Sequence, residues 1–72
     1  MNELELLSTV ALVNDILDKG LRRGQVGTIV ETLAPEVYEV EFSDDAGQTY
    51  ASLAVSADQL MRLYHEIQNY AA

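Results

Sequence analysis

The chain has no cysteine and no tryptophan, one phenylalanine, one proline and one histidine, and only four basic residues among 72. Each shortage removes a class of protein. Without cysteine there is neither a disulfide framework nor a thiolate metal site, which fits a reducing compartment. With His65 as the sole histidine, a zinc site lacks the nitrogen and sulfur ligands it needs. A nucleophilic triad would depend on that same residue, beside the chain end. No stretch approaches the ~20 apolar residues of a membrane span. Residues 1–6 carry Glu3 and Glu5, no basic residue and no apolar run, unlike a secretory leader. The protein is expected to be cytoplasmic and soluble, to hold no cofactor and no metal, and not to be an enzyme.

The shortage of positive charge is the most informative of these. Four Lys and Arg against twelve Asp and Glu leave −8 at neutral pH. A field of that sign repels phosphate backbones and anionic membrane surfaces. Neither nucleic acid nor membrane is expected as a partner. A basic protein is the partner such a field attracts, and the charge also keeps a small domain in solution.

What the chain does have is an apolar content of 49%, enough for one core. A chain this short buries only about 60% of the surface its unfolded form exposes, so one small domain is the limit. Residues 6–13 form the first apolar run, with β-branched Thr9, Val10 and Val13. A strand over 8–13 ends at the turn-prone pair Asn14-Asp15. Residues 14–25 make a long connection whose Ile16, Leu17 and Leu21 are too apolar for a free loop. They are expected to fold back as a lid over one end of the core. Residues 26–33 are rich in β-branched side chains and read as a second strand. Ala34-Pro35-Glu36 breaks it, with Pro35 suited to the second position of a tight turn.

Residues 37–43 then alternate, Tyr38, Val40 and Phe42 on one face and Glu39 and Glu41 on the other. That is the mark of a half-buried antiparallel strand. Asp44-Asp45-Ala46-Gly47 signals a hairpin, Gly47 being able to take positive φ. Residues 49–55 follow, with Ala51, Leu53 and Val55 on one face. Tyr38, Val40, Phe42 and Leu53 are expected in the core, and Tyr50 as a half-buried residue of the same body. Residues beyond 55 admit two structures. Ser56 and Gln59 have the spacing of a capping box, and Leu60, Leu63, Tyr64 and Ile67 fall on one helical stripe. Alternatively, a 3₁₀ turn at 56–60 precedes a short strand, 61–64. Local pattern alone leans to the helix.

Three pieces, Gly20-Leu-Arg-Arg-Gly-Gln-Val-Gly-Thr-Ile-Val30, Tyr38-Glu-Val-Glu-Phe42 and Ala57-Asp-Gln-Leu60, carry a family likeness in their order and spacing. They resemble a bacterial family of small acidic proteins, Domain of Unknown Function 4926, from Thr9 to Leu63. The resemblance brings no activity. It implies an all-β fold, a small SH3-like antiparallel β-barrel in which the Ala57–Leu60 turn is a short 3₁₀ turn before a last, closing strand. It tips residues 61–64 towards strand and leaves a helix only to the tail. The chain then divides into an N-terminal arm (1–7), the barrel (8–64) and the C-terminal tail (65–72). Gly24-x-x-Gly27-x-Ile29-Val30 also resembles the glycine motif of RNA-binding ribosomal and transcription-factor barrels. The basic surface those barrels use is missing here, so RNA binding does not carry over.

Candidate contact residues are few. Lys19, Arg22 and Arg23 are three of the four basic residues and fall within five positions of one loop. Asp15 and Asp18 are at hand to balance them. Glu39 and Glu41 give a negative strand face, with Glu31 as a neighbour, and are expected to guard that strand against edge-to-edge pairing. Tyr64 and Tyr70 are candidate interface aromatics. Gly24, Gly27 and Gly47 are structural: positive φ for one of the first two, close packing under the loop for the other, and a hairpin for the third.

The expected function is a non-catalytic acidic module that binds a basic protein, as an antitoxin-like or immunity-like neutraliser or as an accessory subunit. The alternative is a small regulatory or ligand-binding domain using the mouth of the barrel. Bulky residues at 37–42 and 51–55 already fill so small a barrel. Deleting residues 67–72 is expected to cost less than about 1 kcal/mol in a denaturant melt, since termini beyond the last paired element are poorly held.

Overall fold

The computed structural model describes residues 4–64. The expected tail, the helix assigned to it and His65 lie outside that range. Five strands follow one another: β1 (Thr9–Leu12), β2 (Val26–Ala34), β3 (Val37–Ser43), β4 (Thr49–Ser56) and β5 (Leu60–Arg62). Two 3₁₀ turns, Leu17–Lys19 and Ala57–Gln59, interrupt the connections before β2 and β5. The fold is all-β.

All pairings are antiparallel, and the spatial order is β4-β3-β2-β1-β5. The last strand closes onto the first, Ala11 opposite Met61, as the SH3-like order requires. Among the described residues the ring stays open, however, because β4 pairs there with β3 alone. This open SH3-like sheet replaces the closed barrel expected from sequence. β2 makes the arrangement work by serving both halves, Gly27 facing Val10 of β1 and Phe42 of β3. Its register slips between Ile29 and Glu31 and again between Thr32 and Ala34. Bulges of this kind bend a strand and increase its twist, which lets one strand run through two halves of a folded sheet.

The alternation in β3 builds the core directly. Tyr38, Val40 and Phe42 are buried and pack with Val10, Leu12, Ile29, Val55 and Leu60. Leu53 is half-buried, not buried as expected, because among the described residues its strand is the edge of the sheet, with β3 on one side only. Tyr50 departs further: it is 49% exposed, on the opposite face from Ala51. In the long connection Leu21 is buried and Ile16 packs against the core, as a lid requires, but Leu17 is 66% exposed. The backbones of Ile16 and Leu21 bond each other in both directions, at 2.8 and 3.1 Å, and pinch the segment into a small hairpin with Leu17 at its tip.

The turns follow their local chemistry. Pro35 and Glu36 join β2 to β3, and Glu36 takes φ +62°, a left-handed value that costs a side-chain-bearing residue about 1–2 kcal/mol. Its carbonyl accepts the Ala57 N–H at 2.8 Å, so the turn is tied to the far end of β4. In the next hairpin Gly47 has φ +83°, and the Asp44 carboxylate accepts the N–H groups of Ala46 and Gln48, both at 2.9 Å. Ser56 and Gln59 do meet: the Ser56 hydroxyl lies 3.0 Å from Gln59 Oε1, and its N–H donates to the same oxygen at 3.4 Å. The box opens a single 3₁₀ turn and not a helix. Leu60 then turns extended and pairs with Leu12.

Gly27 is the tightest point. A Cβ built there would stand 2.7 Å from Val40 Cγ1, 2.8 Å from the Glu41 carbonyl oxygen and 3.0 Å from Phe42 Cδ1. The packing partner is therefore β3, not the loop. Gly24 supplies the positive φ of the expected pair, at +91°. Gly27→Ala is expected to lower unfolding free energy by about 1–3 kcal/mol, the range for overpacking, measured as a shift of the denaturant midpoint at unchanged slope.

Candidate functional site

Along β3 one side of the sheet is core and the other is turned outward. Because side chains alternate, the residues between Tyr38, Val40 and Phe42 line that outer face. Glu39 stands between Glu31 of β2 and Ala54 of β4, and Glu41 between Thr28 and Ser52. Three carboxylates thus share the outer surface of β2 and β3. Glu31 and Glu39 are directly opposite, where side chains lie about 4.5–5.5 Å apart and like charges repel. Ser52 relieves part of this, its hydroxyl donating to Glu39 Oε2 at 2.6 Å. Among the described residues no ion pair joins any of these carboxylates to a cation.

The expectation that Glu39 and Glu41 guard an edge fails, because β3 lies inside the sheet, flanked by β2 and β4. Those flanking strands also leave both residues half-buried. Their charge shapes a face, not an edge. The three cations of the loop, Lys19, Arg22 and Arg23, are all exposed. Asp15 does meet Arg23, but through the backbone: its carboxylate accepts the Arg23 N–H at 2.8 Å. The neck of the loop is anchored on the outer face by a contact the sequence did not reveal. Arg22 donates its N–H to Gln25 Oε1, and Gln25 Nε2 donates to the Tyr50 hydroxyl at 2.8 Å. A glutamine and a tyrosine 25 positions apart carry no local signal of such a pairing.

Tyr64 is 57% exposed, and the Arg62 guanidinium sits 4.7 Å from its ring centroid. The fourth basic residue is therefore engaged by an aromatic face in a cation–π contact. Gly24, Gly27 and Gly47 serve the backbone, as described. No group of three or more His, Asp or Glu side chains among the described residues converges to hold a metal ion. No helix among them is long and apolar enough to cross a membrane.

The molecule is thus an open, SH3-like antiparallel β domain with an acidic outer face and a basic loop. The chain belongs to the family described as Domain of unknown function (DUF4926), whose model matches residues 6–62. Comparison with curated proteins gives no match, and comparison with solved structures gives none. Glu31→Lys should turn the repulsive cross-strand pair into an attractive one, raising stability by about 0.2–1 kcal/mol. The gain should shrink as added salt screens the pair, and thermal melts at low and high salt would measure it.

Proposed function

We propose that this chain is a non-catalytic interaction module that presents the acidic outer face of its sheet to a basic protein. It would act as a neutraliser of antitoxin or immunity type, or as an accessory subunit, inside the cell. The observation that carries this reading is the placement of Glu31, Glu39 and Glu41 on one face of adjacent strands with no cation paired to them among the described residues. Holding like charges directly opposite one another weakens the sheet. A basic partner that supplies the missing charge makes that cost productive. The basic loop Lys19–Arg23 adds a second, oppositely charged contact that fixes orientation on the partner.

The alternative, a ligand site in the mouth of the barrel, has less support. The inner positions are occupied by Tyr38, Val40, Phe42, Ile29 and Leu21, packed as one cluster. Nucleic acid is disfavoured by the same negative field.

The test uses the protein recovered with a tagged copy from its native cell. Association should be steered by charge and slow markedly as salt rises from about 10 to 150 mM, where the Debye length falls from roughly 30 to 8 Å. The double change Glu39→Lys and Glu41→Lys should lower the on-rate while the far-UV spectrum is retained. Salt-insensitive binding, or a micromolar gel shift with RNA or DNA, would overturn the reading.

A further inference from the structure

Among the described residues β4 is an edge strand of eight residues, Thr-Tyr-Ala-Ser-Leu-Ala-Val-Ser, with β3 as its one partner strand. Exposed edges template pairing with another chain, and proteins usually blunt them with lysine, proline or inward-pointing charge. β4 contains none of these. It lies in residues 46–57, the longest run without a charged residue in a chain that carries −8.

The direction of its free hydrogen-bonding groups follows from the ladder. Ile29 spends its own N–H and C=O on the β1 side: its N–H donates to Ser8 at 3.0 Å, and its carbonyl accepts the Leu7 N–H at 2.7 Å. Backbone groups alternate sides along a strand, so Thr28 turns to β3 and meets Glu41. Alternation along β3 then turns Val40 and Phe42 towards β4, where they meet Leu53 and Ala51. The hairpin keeps the same phase, Asp44 N–H donating to the Gln48 carbonyl at 2.9 Å. The N–H and C=O groups of Ser52 and Ala54 therefore point away from the sheet, at the middle of the edge.

We infer that a second copy of this chain pairs with that edge, β4 against β4, antiparallel about a two-fold axis at Leu53. This register suits the groups available. Ser52 of one copy and Ala54 of the other exchange both N–H···O bonds, and the symmetry repeats the exchange. The two Leu53 residues form the non-hydrogen-bonded pair on the axis, where Cα atoms approach to about 4.5 Å. Each then covers the flank that the open sheet leaves exposed on the other. The absence of charge along β4 selects a second copy: two chains of −8 meet along their one long neutral segment. Glu39 of one copy and Glu41 of the other would stand about three strand spacings apart, roughly 14 Å, beyond the Debye length of about 8 Å at physiological salt.

A single strand pair is a small interface, so the dimer is weak and its detection needs concentration. Sedimentation equilibrium of the full chain from about 10 µM to 1 mM should show the mass rising from 8.0 kDa towards twice that value. The association should strengthen with salt, because both partners are acidic. That is the opposite sign from the basic-partner complex, so the two ideas fail independently. Amide exchange at Ser52 and Ala54 should slow about tenfold or more with rising concentration. Ala51, Leu53 and Val55, bonded to β3, should be protected throughout. Ala54→Pro removes one outward N–H and no ladder bond, and Ala54→Lys places an edge lysine while keeping the N–H. Either should hold the protein monomeric with its β spectrum intact, and the lysine variant decides if the proline variant does not fold. A mass fixed at one chain near 1 mM in about 0.5 M salt would overturn the inference. So would self-association that leaves the Ser52 and Ala54 amides unprotected, or protection of those amides only by a strand from a different protein.

Discussion

The structure depends on the space left by one missing side chain. At Gly27, β2 passes between β1 and β3 so closely that Val40, the Glu41 carbonyl and Phe42 occupy the volume a Cβ would need. That approach lets one strand belong to both halves of the sheet. It also seats Phe42, the single phenylalanine of the chain, fully buried in the core. With no disulfide and no tryptophan, a domain of this size has few other ways to gain packing. Each core side chain therefore represents a large share of a stability that is small for any such domain.

The acidic face is a by-product of the same alternation. Burying Tyr38, Val40 and Phe42 fixes Glu39 and Glu41 outward, and the bulge after Ile29 restores Glu31 to the same side. A bulge-free β2 would place Val30 opposite Glu39. The charge concentration thus comes from a register shift, not from a run of acidic residues. Ser52 then holds Glu39 in place from the neighbouring strand.

Much of this was legible in the sequence wherever one face of an element is buried and the other wet. The alternation of 37–42 and the Pro35 turn are of that kind. Gly47 in the hairpin and the Ser56–Gln59 box were readable for a different reason, since turn chemistry is local. The extent of the box was not readable, because Leu60, Leu63 and Tyr64 satisfy a helical stripe while Leu60–Arg62 serve equally as a strand that pairs with residues some fifty positions earlier. Long-range pairing decided the matter, and the family likeness was the only sign of it. Strand order was equally hidden, so Glu39 and Glu41 passed for edge guards when, among the described residues, the edge beside them is β4. The exposure of Tyr50 was implied by the alternation that buries Ala51, Leu53 and Val55, but its tie to Gln25 was not.

Pairing the first strand with the last has a kinetic consequence. β2, β3 and β4 form a meander of two short hairpins whose loops close at little entropic cost. The β1–β5 pair, with Val10 opposite Arg62, closes a loop of most of the described chain. Loop-closure entropy must be met before such a contact returns anything, so non-local pairs form late and slow the reaction. The meander and the β1–β5 clasp are therefore unequal partners in time: one forms locally, the other locks it. With only three residues in β5, the clasp is also the part that opens first, and its release would uncover Val10, Leu12 and Leu60 while the hairpins still stand.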